Sequence, residues 1–140
     1  MKYAIIENGI VTNIVVADSA LESNWVPADD TAHIKGSWDG NVFGPIVRAA
    51  EEVRAEVETE VQKRLDAFAQ TRSYDGILSL CTYATSANPV FAAEGAYGVQ
   101  ARDATWAKCY EILAEVQQGQ RPLPKGYKEI EGELPVLAWP

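Results

Sequence analysis

The hydrophobic pattern of this 140-residue chain changes its period once, near Ile46. Before that point, short β-branched runs alternate with tight-turn dipeptides, a pattern typical of strands and hairpins. After it, apolar residues recur every three or four positions, which is typical of amphipathic helices. Strands followed by helices indicate the α+β class. We therefore predict a small N-terminal antiparallel β-unit with hairpins, a long linking helix and a C-terminal helical hairpin or bundle.

The first 45 residues contain two hairpin signals. Asn8-Gly9 separates two β-branched runs, and Asn-Gly suits a type I′ turn because both central residues of that turn need positive φ. Asp39-Gly40 is a second signal of the same kind. Asp18 is the predicted cap of a short helical turn between the hairpins. Residues 1–45 are thus predicted to form a β-rich unit of short strands.

Residues 46–72 are predicted to form one long amphipathic helix. Its apolar stripe repeats every ~3.67 residues on average. Glutamate and arginine occupy its other faces, which is typical of a solvated helix surface. Two interpretations are open: the helix contacts partners along the stripe, or it is a solitary helix that links the β-unit to the rest. The first interpretation makes Val53, Val57 and Val61 candidate interface residues.

Residues 73–140 are predicted to form a helical domain with a proline-rich tail. Ser73 is the predicted N-cap of its first helix. Asn88-Pro89 opens the next helix, because Asn caps well and proline is tolerated at the first helical position. Gly119 is the predicted end of that helix, since glycine readily adopts the left-handed conformation found there.

Two cysteines and one arginine lie on the apolar-patterned faces of the predicted helices. Cys81 and Cys109 lie on apolar-patterned segments, and two reduced core cysteines are the favoured interpretation because free Cys is among the most buried residue types. Contact between the two cysteines stays open. Arg102 lies on the predicted inward face of the last helix. We expect it to form a buried or half-buried ion pair with one of three aspartates: Asp66, Asp75 or Asp103.

Charge and composition limit the classes of partner. The formal net charge is −8 at pH 7, which argues against nucleic acid because binding a phosphate backbone requires a basic face. No run approaches the ~18 consecutive apolar residues of a membrane span, so no membrane is expected. The start of the chain, MKYAIIENG, has too short an apolar run for a secretory signal. We expect synthesis in the cytosol.

No cluster of residues in the sequence predicts an active site. His33 is the single histidine, and a metal site needs several His, Cys or carboxylate ligands at suitable spacing. No nucleophile motif, phosphate-binding loop or dinucleotide fingerprint is present. We therefore expect no catalytic residue, no metal and no cofactor.

Three aromatic residues are candidate interface anchors. Trp38 and Phe43 flank the second turn, where they either pair across strands or, on an outer face, contact a partner. Trp139, one residue from the end of the chain, either folds back onto the helices or inserts into a neighbouring subunit. We favour folding back.

Several stretches of the second half carry a family resemblance: RLDAFAQTRSYDGILSLCTYATS at 64–86, PVFAAEG at 89–95, ARDATWAKCYEIL at 101–113, Gly119, PLP at 122–124 and LPVLAWP at 134–140. Together they resemble a small domain encoded in the tail-gene clusters of tailed bacteriophages and prophages. The first 45 residues are similar to the N-terminal units of phage tail-fibre and fibre-assembly proteins. The resemblance implies a setting, the phage tail, and no functional residues.

The resemblance implies a structural protein of the virion tail, made in the host bacterial cytoplasm, that contacts other tail proteins of the fibre or baseplate region. A homo-oligomer within the assembly is expected, with a trimer as one form. The alternative is a tail-fibre assembly chaperone that is not retained in the virion. A third hypothesis, from another class, is a small hydrolase or a host-directed acidic inhibitor.

Overall fold

A computed structural model describes residues 1–140 and divides the chain into two compact units, residues 1–49 and residues 50–140. The first unit is a five-stranded antiparallel sheet, and the second is helical. The predicted α+β class is confirmed. None of the helices combines the length and apolar character that a membrane span requires.

The β-unit contains five strands in the spatial order β3-β1-β2-β4-β5. Their bounds are β1 (Lys2–Glu7), β2 (Ile10–Val16), β3 (Trp25–Pro27), β4 (Gly36–Trp38) and β5 (Phe43–Ile46). All four neighbouring pairs are antiparallel. The buried side chains of this unit come from β1, β2 and the loop between β3 and β4: Tyr3, Ala4, Val11 and Ala32.

Both predicted hairpin turns are present. Asn8 and Gly9, between β1 and β2, have φ values of 52° and 75°, as a type I′ turn requires. Gly40, between β4 and β5, has a φ of 103°. The Asp39 carboxylate accepts hydrogen bonds from the backbone N–H groups of Asn41 and Val42, and these bonds lower its pKa.

The predicted helical turn after Asp18 is wrong. The segment between β2 and β3 consists of bends and turns. Asn24 exchanges hydrogen bonds with Ile6: the backbone N–H of Ile6 donates to the Asn24 carbonyl at 2.9 Å, and the Asn24 side chain donates to the Ile6 carbonyl at 3.2 Å. These bonds hold the segment against β1, so that the local capping signal is overridden.

The helix predicted at 46–72 begins later in the structure, and it has a different role from the one expected. Ile46 is paired with Gly36 in the sheet, and the backbone N–H of Val47 donates to the Lys35 carbonyl at 2.7 Å. Because these residues extend the sheet, the helix begins only at Ala50. It belongs to the second compact unit and is not a separate linking segment.

The helical unit contains α1 (Ala50–Gln70), α2 (Ile77–Thr82) and α3 (Pro89–Gln117), with short 3-10 turns at Tyr83–Thr85, Tyr127–Glu129 and Glu131–Glu133. One apolar core joins α1, α2, α3 and the tail. Its buried members are Val61, Leu65, Ala69, Ile77, Leu80, Ile112, Tyr127, Ile130 and Leu134. The tail supplies three of these nine side chains, so it is an integral part of the unit.

Both predicted ends of α3 are confirmed. The Asn88 side chain accepts hydrogen bonds from the N–H groups of Val90 and Phe91. At the other end Gly119 has a φ of 72° and donates to the Val116 carbonyl at 3.1 Å, while the next N–H donates to the Glu115 carbonyl at 2.9 Å. These two bonds form a Schellman motif, which satisfies carbonyls that the helix leaves without partners.

The predicted N-cap of α2 is wrong. Ser73 has a φ of 68°, and the helix begins only at Ile77. The carboxylate of Asp66, which lies on α1, accepts a hydrogen bond from the Ile77 N–H at 2.9 Å. The cap is therefore supplied by a neighbouring helix and not by the local sequence.

Two glycines of α3 allow its close approach to α2 and the turn that follows α2. A Cβ at Gly95 would overlap the backbone of Tyr83 and Ala84, and a Cβ at Gly98 would lie 2.7 Å from Leu80 Cγ. Both glycines are buried. Glycine is required here for space, because it costs helix stability relative to alanine.

Candidate functional site

The predicted aromatic pair of the β-unit is formed across two strands. Trp38 lies opposite Phe43 in the ladder of β4 and β5, and the ring centroids are 4.5 Å apart. Both side chains are partly buried. Of the two interpretations, the structure shows cross-strand pairing, which stabilises this short hairpin.

The apolar stripe of α1 is largely covered within its own unit. Val53 and Val61 are buried, and Val57 packs against the same core. The tail contributes to the cover of α1: the backbone N–H of Tyr127 donates to the Glu56 carboxylate at 2.8 Å. Val61 is thus a core residue of its own unit, whereas Val53 and Val57 also line the groove described below.

Trp139 folds back onto the helical unit. Its ring stacks on Phe68 with a centroid distance of 4.3 Å, and its Nε1–H donates to the Thr71 hydroxyl at 3.0 Å. The Arg72 guanidinium lies 4.7 Å from the centre of the same ring, within the range of a cation–π contact. The tail is held further by the Ala138 N–H, which donates to the Tyr97 hydroxyl at 2.9 Å.

One half-buried ion pair, between exposed Arg72 and buried Glu94, lies beside this aromatic cluster. Glu94 is only 6% exposed and accepts a hydrogen bond from Arg72 at 2.9 Å. Burial, and then the negative charge of Glu94, raises the pKa of Tyr74. This pair was not predicted from the sequence. Its two residues are 22 positions apart on different elements, and no local pattern brings them together.

The structure also shows where the arginine, the cysteines and the histidine of the sequence predictions lie. Arg102 is half-buried and pairs at 3.7 Å with exposed Asp103, one of the three predicted partners. Cys81 and Cys109 are free thiols that pack against the core, and burial raises the pKa of each. His33 is exposed in a loop. No group of three or more His, Cys, Asp or Glu side chains is placed to hold a metal ion.

An apolar groove lies between α1, the C-terminal half of α3 and the start of the tail. It has a volume of about 290 Å³. Its apolar walls are supplied by Val53, Val57, Trp106, Cys109, Tyr110, Ile112, Leu113, Val116, Leu123, Pro124 and Ile130. Two of the predicted interface residues, Val53 and Val57, therefore line the groove from its α1 side.

The groove continues as a shallower depression along α1. This extension is lined by Glu58, Thr59, Gln62, Lys63, Trp106 and Tyr110. The two parts share Glu58, Trp106 and Tyr110, so they form one furrow. From Ala50 to Lys63 the furrow follows α1 for about 20 Å, at 1.5 Å per helical residue.

The charges on the groove come from α1 alone. Glu51, Arg54 and Glu58 lie on its rim, and Arg54 is bonded to Glu58 at 3.0 Å. No lysine or arginine of α3 lines the groove. The furrow therefore has an apolar floor, and its α1 side carries two carboxylates, Glu51 and Glu58, and two basic side chains, Arg54 and Lys63.

In comparisons with known proteins, no family model matches this chain, and no curated protein or solved structure matches it.

Proposed function

We propose that this protein is a structural component of a bacteriophage tail, in the fibre or baseplate region, and that it acts through contacts with other tail proteins. The resemblance of residues 64–140 to a phage tail domain supports the setting. Those residues lie in the helical unit, and the stretch at 134–140 supplies both Leu134 of its core and the Trp139 ring.

The observation that carries the proposal is the apolar surface of the β-unit. Seven large apolar side chains among its 49 residues are each at least 47% exposed: Met1, Val16, Leu21, Ile34, Val42, Ile46 and Val47. The chain segments that carry Ile34, Ile46 and Val47 lie side by side: Ile46 pairs with Gly36, and the Val47 N–H donates to the carbonyl of Lys35, which follows Ile34. Clustered exposed apolar side chains indicate a surface that is covered in an assembly.

The edges of the sheet favour contacts made by side chains. Both edge strands, β3 and β5, are short and contain a proline, Pro27 and Pro45 respectively. Proline has no N–H to donate, and short proline-containing edges resist the addition of a foreign strand. We therefore expect a tail partner to cover the cluster of Ile34, Ile46 and Val47 and not to extend the sheet.

Quantitative mass spectrometry of purified virions, made by the phage or prophage that encodes this chain, tests the proposal. We expect the chain in fixed ratio to the other tail proteins. Absence from mature particles would contradict a structural role. If the absent chain also raised the solubility of the co-expressed fibre protein, the function would be that of an assembly chaperone.

A double substitution tests whether the exposed apolar surface of the β-unit contacts a tail partner. Ile34→Ser with Ile46→Ser should remove the chain from assembled tails while the purified variant stays folded. Val42→Ser, an equally exposed position at the tip of the β4–β5 hairpin, is the matched control and should assemble normally. Sedimentation equilibrium of the purified chain tests the proposed homo-oligomer: a stable trimer would favour a contact in a fibre shaft, and a monomer would favour an adaptor.

A further inference from the structure

We propose that residues 135–140, the Trp139 segment, are exchangeable between copies of this chain, so that the surface that holds this segment accepts it from a second copy. This surface, the Trp139 cradle, consists of Arg64, Phe68, Thr71, Arg72 and Tyr97. Exchange of one identical element between protomers is a low-cost route to oligomers. Its place in a phage tail rests on the proposed function, whereas the site itself is inferred from the helical unit alone.

The Trp139 segment lies on the surface of the helical unit and is not part of its buried core. Leu134 is 5% exposed, and none of the six residues after it is buried. Val136 is 85% exposed, and partly buried and exposed residues alternate from Pro135 to Pro140. Because the buried core ends at Leu134, the segment can detach by local opening while the rest of the unit stays folded.

The side chains of the Trp139 segment are placed as in an extended bound peptide. Leu137 and Trp139 are two positions apart, and both pack against the helical core. Alternate side chains of an extended segment point to the same side, and pockets for such side chains provide specificity in peptide recognition. The Trp139 ring is received by Phe68 at 4.3 Å and by Arg72 at 4.7 Å. The cradle is thus suited to a large aromatic side chain at this position.

Hydrogen bonds join the cradle to the backbone of the segment. The Arg64 guanidinium donates to the Pro135 carbonyl at 3.1 Å, and the Tyr97 hydroxyl accepts from the Ala138 N–H at 2.9 Å. These cradle groups belong to α1 and α3. A segment that arrives from another copy would meet them in the same positions, because none of them is part of the segment itself.

The charge of the segment does not oppose exchange, although the whole chain has a formal net charge of −8. Residues 134–140 read LPVLAWP and contain no charged side chain. The two charged residues of the cradle are Arg64 and Arg72, and Arg72 is paired with Glu94. Entry of the segment from a second copy therefore brings no like charge to the cradle. This sequence is also the ligand whose fit to the cradle is visible in the structure.

The covalent tether of the segment decides when exchange takes place. A short flexible tether holds its ligand at an effective concentration of the order of 1 mM. In dilute solution each cradle therefore keeps its own segment. Copies held side by side in an assembly present their segments at a comparable concentration, so exchange becomes competitive. The five residues from Leu134 to Trp139 span at most about 18 Å, which limits the distance between exchanging units.

A synthetic peptide with the sequence of residues 134–140 tests the cradle. Two full-length variants weaken the hold on the chain's own segment. Trp139→Ala removes the ring, and Ala138→Pro removes the N–H that Tyr97 accepts, at an exposed position outside the core. By calorimetry, we expect the peptide to bind both variants about tenfold or more tightly than the wild type, in which the native segment competes. The same peptide with alanine in place of tryptophan should bind neither variant.

Substitutions of two phenylalanines locate the bound peptide. In the Trp139→Ala background, Phe68→Ala should weaken the peptide about tenfold, because the stacked ring is lost. Phe91→Ala is the matched control, since the Phe91 ring contacts Tyr83 and not Trp139. It should leave the affinity unchanged. Helical circular dichroism spectra check that each variant is folded.

A mixture of two full-length variants tests exchange between copies. The Phe68→Ala chain has an intact segment and a damaged cradle, whereas the Trp139→Ala chain has an intact cradle and a damaged segment. At about 0.5 mM, close to the effective concentration of the tether, the mixture should form heterodimers in sedimentation equilibrium. Each variant alone should associate at least tenfold more weakly.

Three results would overturn the cradle as a peptide site: no binding of the peptide to the variants, equal affinity for variants and wild type, or equal losses with Phe68→Ala and Phe91→Ala. A mixture no more associated than its components would overturn the second copy as the occupant. These measurements use the purified chain and do not depend on virions. Absence from virions would overturn the proposed function alone, and failed binding or pairing would overturn the exchange alone.

Discussion

Gly95→Ala should destabilise the helical unit, although alanine is the better helix former. In an exposed helix interior, replacing glycine by alanine stabilises by about 0.8–1 kcal/mol. At Gly95 the added Cβ would overlap the Tyr83 carbonyl carbon and the Ala84 nitrogen, and it would lie 2.9 Å from the Ala84 Cα. These are backbone atoms, which cannot rotate away as the end of a side chain can.

The expected magnitude follows from the two opposing effects. Overpacking of a well-packed core typically costs about 1–3 kcal/mol, and a clash with backbone belongs at the upper end of that range. After the gain in helix propensity of about 1 kcal/mol, the net loss in the free energy of unfolding is about 2 kcal/mol. For a unit of this size, such a loss lowers the Tm by roughly 10 °C.

Urea unfolding of the full chain, followed by the helical circular dichroism signal, measures this loss. Gly132→Ala is the matched control, because a Cβ there meets open space, and its effect should stay within about 0.5 kcal/mol. Gly98→Ala should destabilise less in a Leu80→Ala background, since its clash is with the Leu80 side chain. A midpoint for Gly95→Ala equal to or above that of the wild type would refute the close approach of α3 to the turn.

Trp139→Ala should lower the free energy of unfolding by about 2–3 kcal/mol, less than a fully buried tryptophan because this ring is partly exposed. Val136→Ala, at a highly exposed tail position, should change it by less than about 0.5 kcal/mol, and equal losses in urea unfolding would count against a docked ring. Asp66→Ala should cost about 1 kcal/mol because α2 loses its cap, whereas Asp75→Ala should be nearly neutral; thermal unfolding of the pair checks this. The pKa of Tyr74 is raised in the folded state, so its contribution to stability is complete below its ordinary pKa of about 10 and is lost as pH rises above it. Tyr74→Phe should therefore reduce the loss of stability between about pH 9 and pH 11 in urea titrations, and an unchanged slope would contradict it.

Local sequence signals predicted the structure correctly wherever the interacting groups lie within a few residues of each other. Asn8-Gly9 specifies its turn because both residues tolerate positive φ, and both adopt it. Asn88 caps α3 through N–H groups two and three positions away. Ser73 failed as a cap for the opposite reason: the group that caps α2 is on α1, eleven residues before Ile77. No local pattern distinguishes these two outcomes.

The candidate groove could be predicted only in part. The stripe that includes Val53 and Val57 was visible in the sequence, and both residues line the groove. Its opposite wall, which includes Trp106, comes from α3, about 50 positions further along the chain. Helical periodicity shows which face of one helix is apolar, but it contains no information about how closely a second helix approaches that face.

The amino-acid sequence by itself determined the class of fold, the two hairpin turns and the ends of α3, because each depends on torsional preference or on hydrogen bonds between near neighbours. Only the tertiary structure decided which apolar residues are covered by the chain itself and which stay open. Val61 is covered and Trp139 is docked because the tail returns across α1, while the furrow beside Tyr110 stays open because the tail does not fill it. Burial is a property of the whole packed unit, and it depends on contacts between residues that are far apart in the sequence.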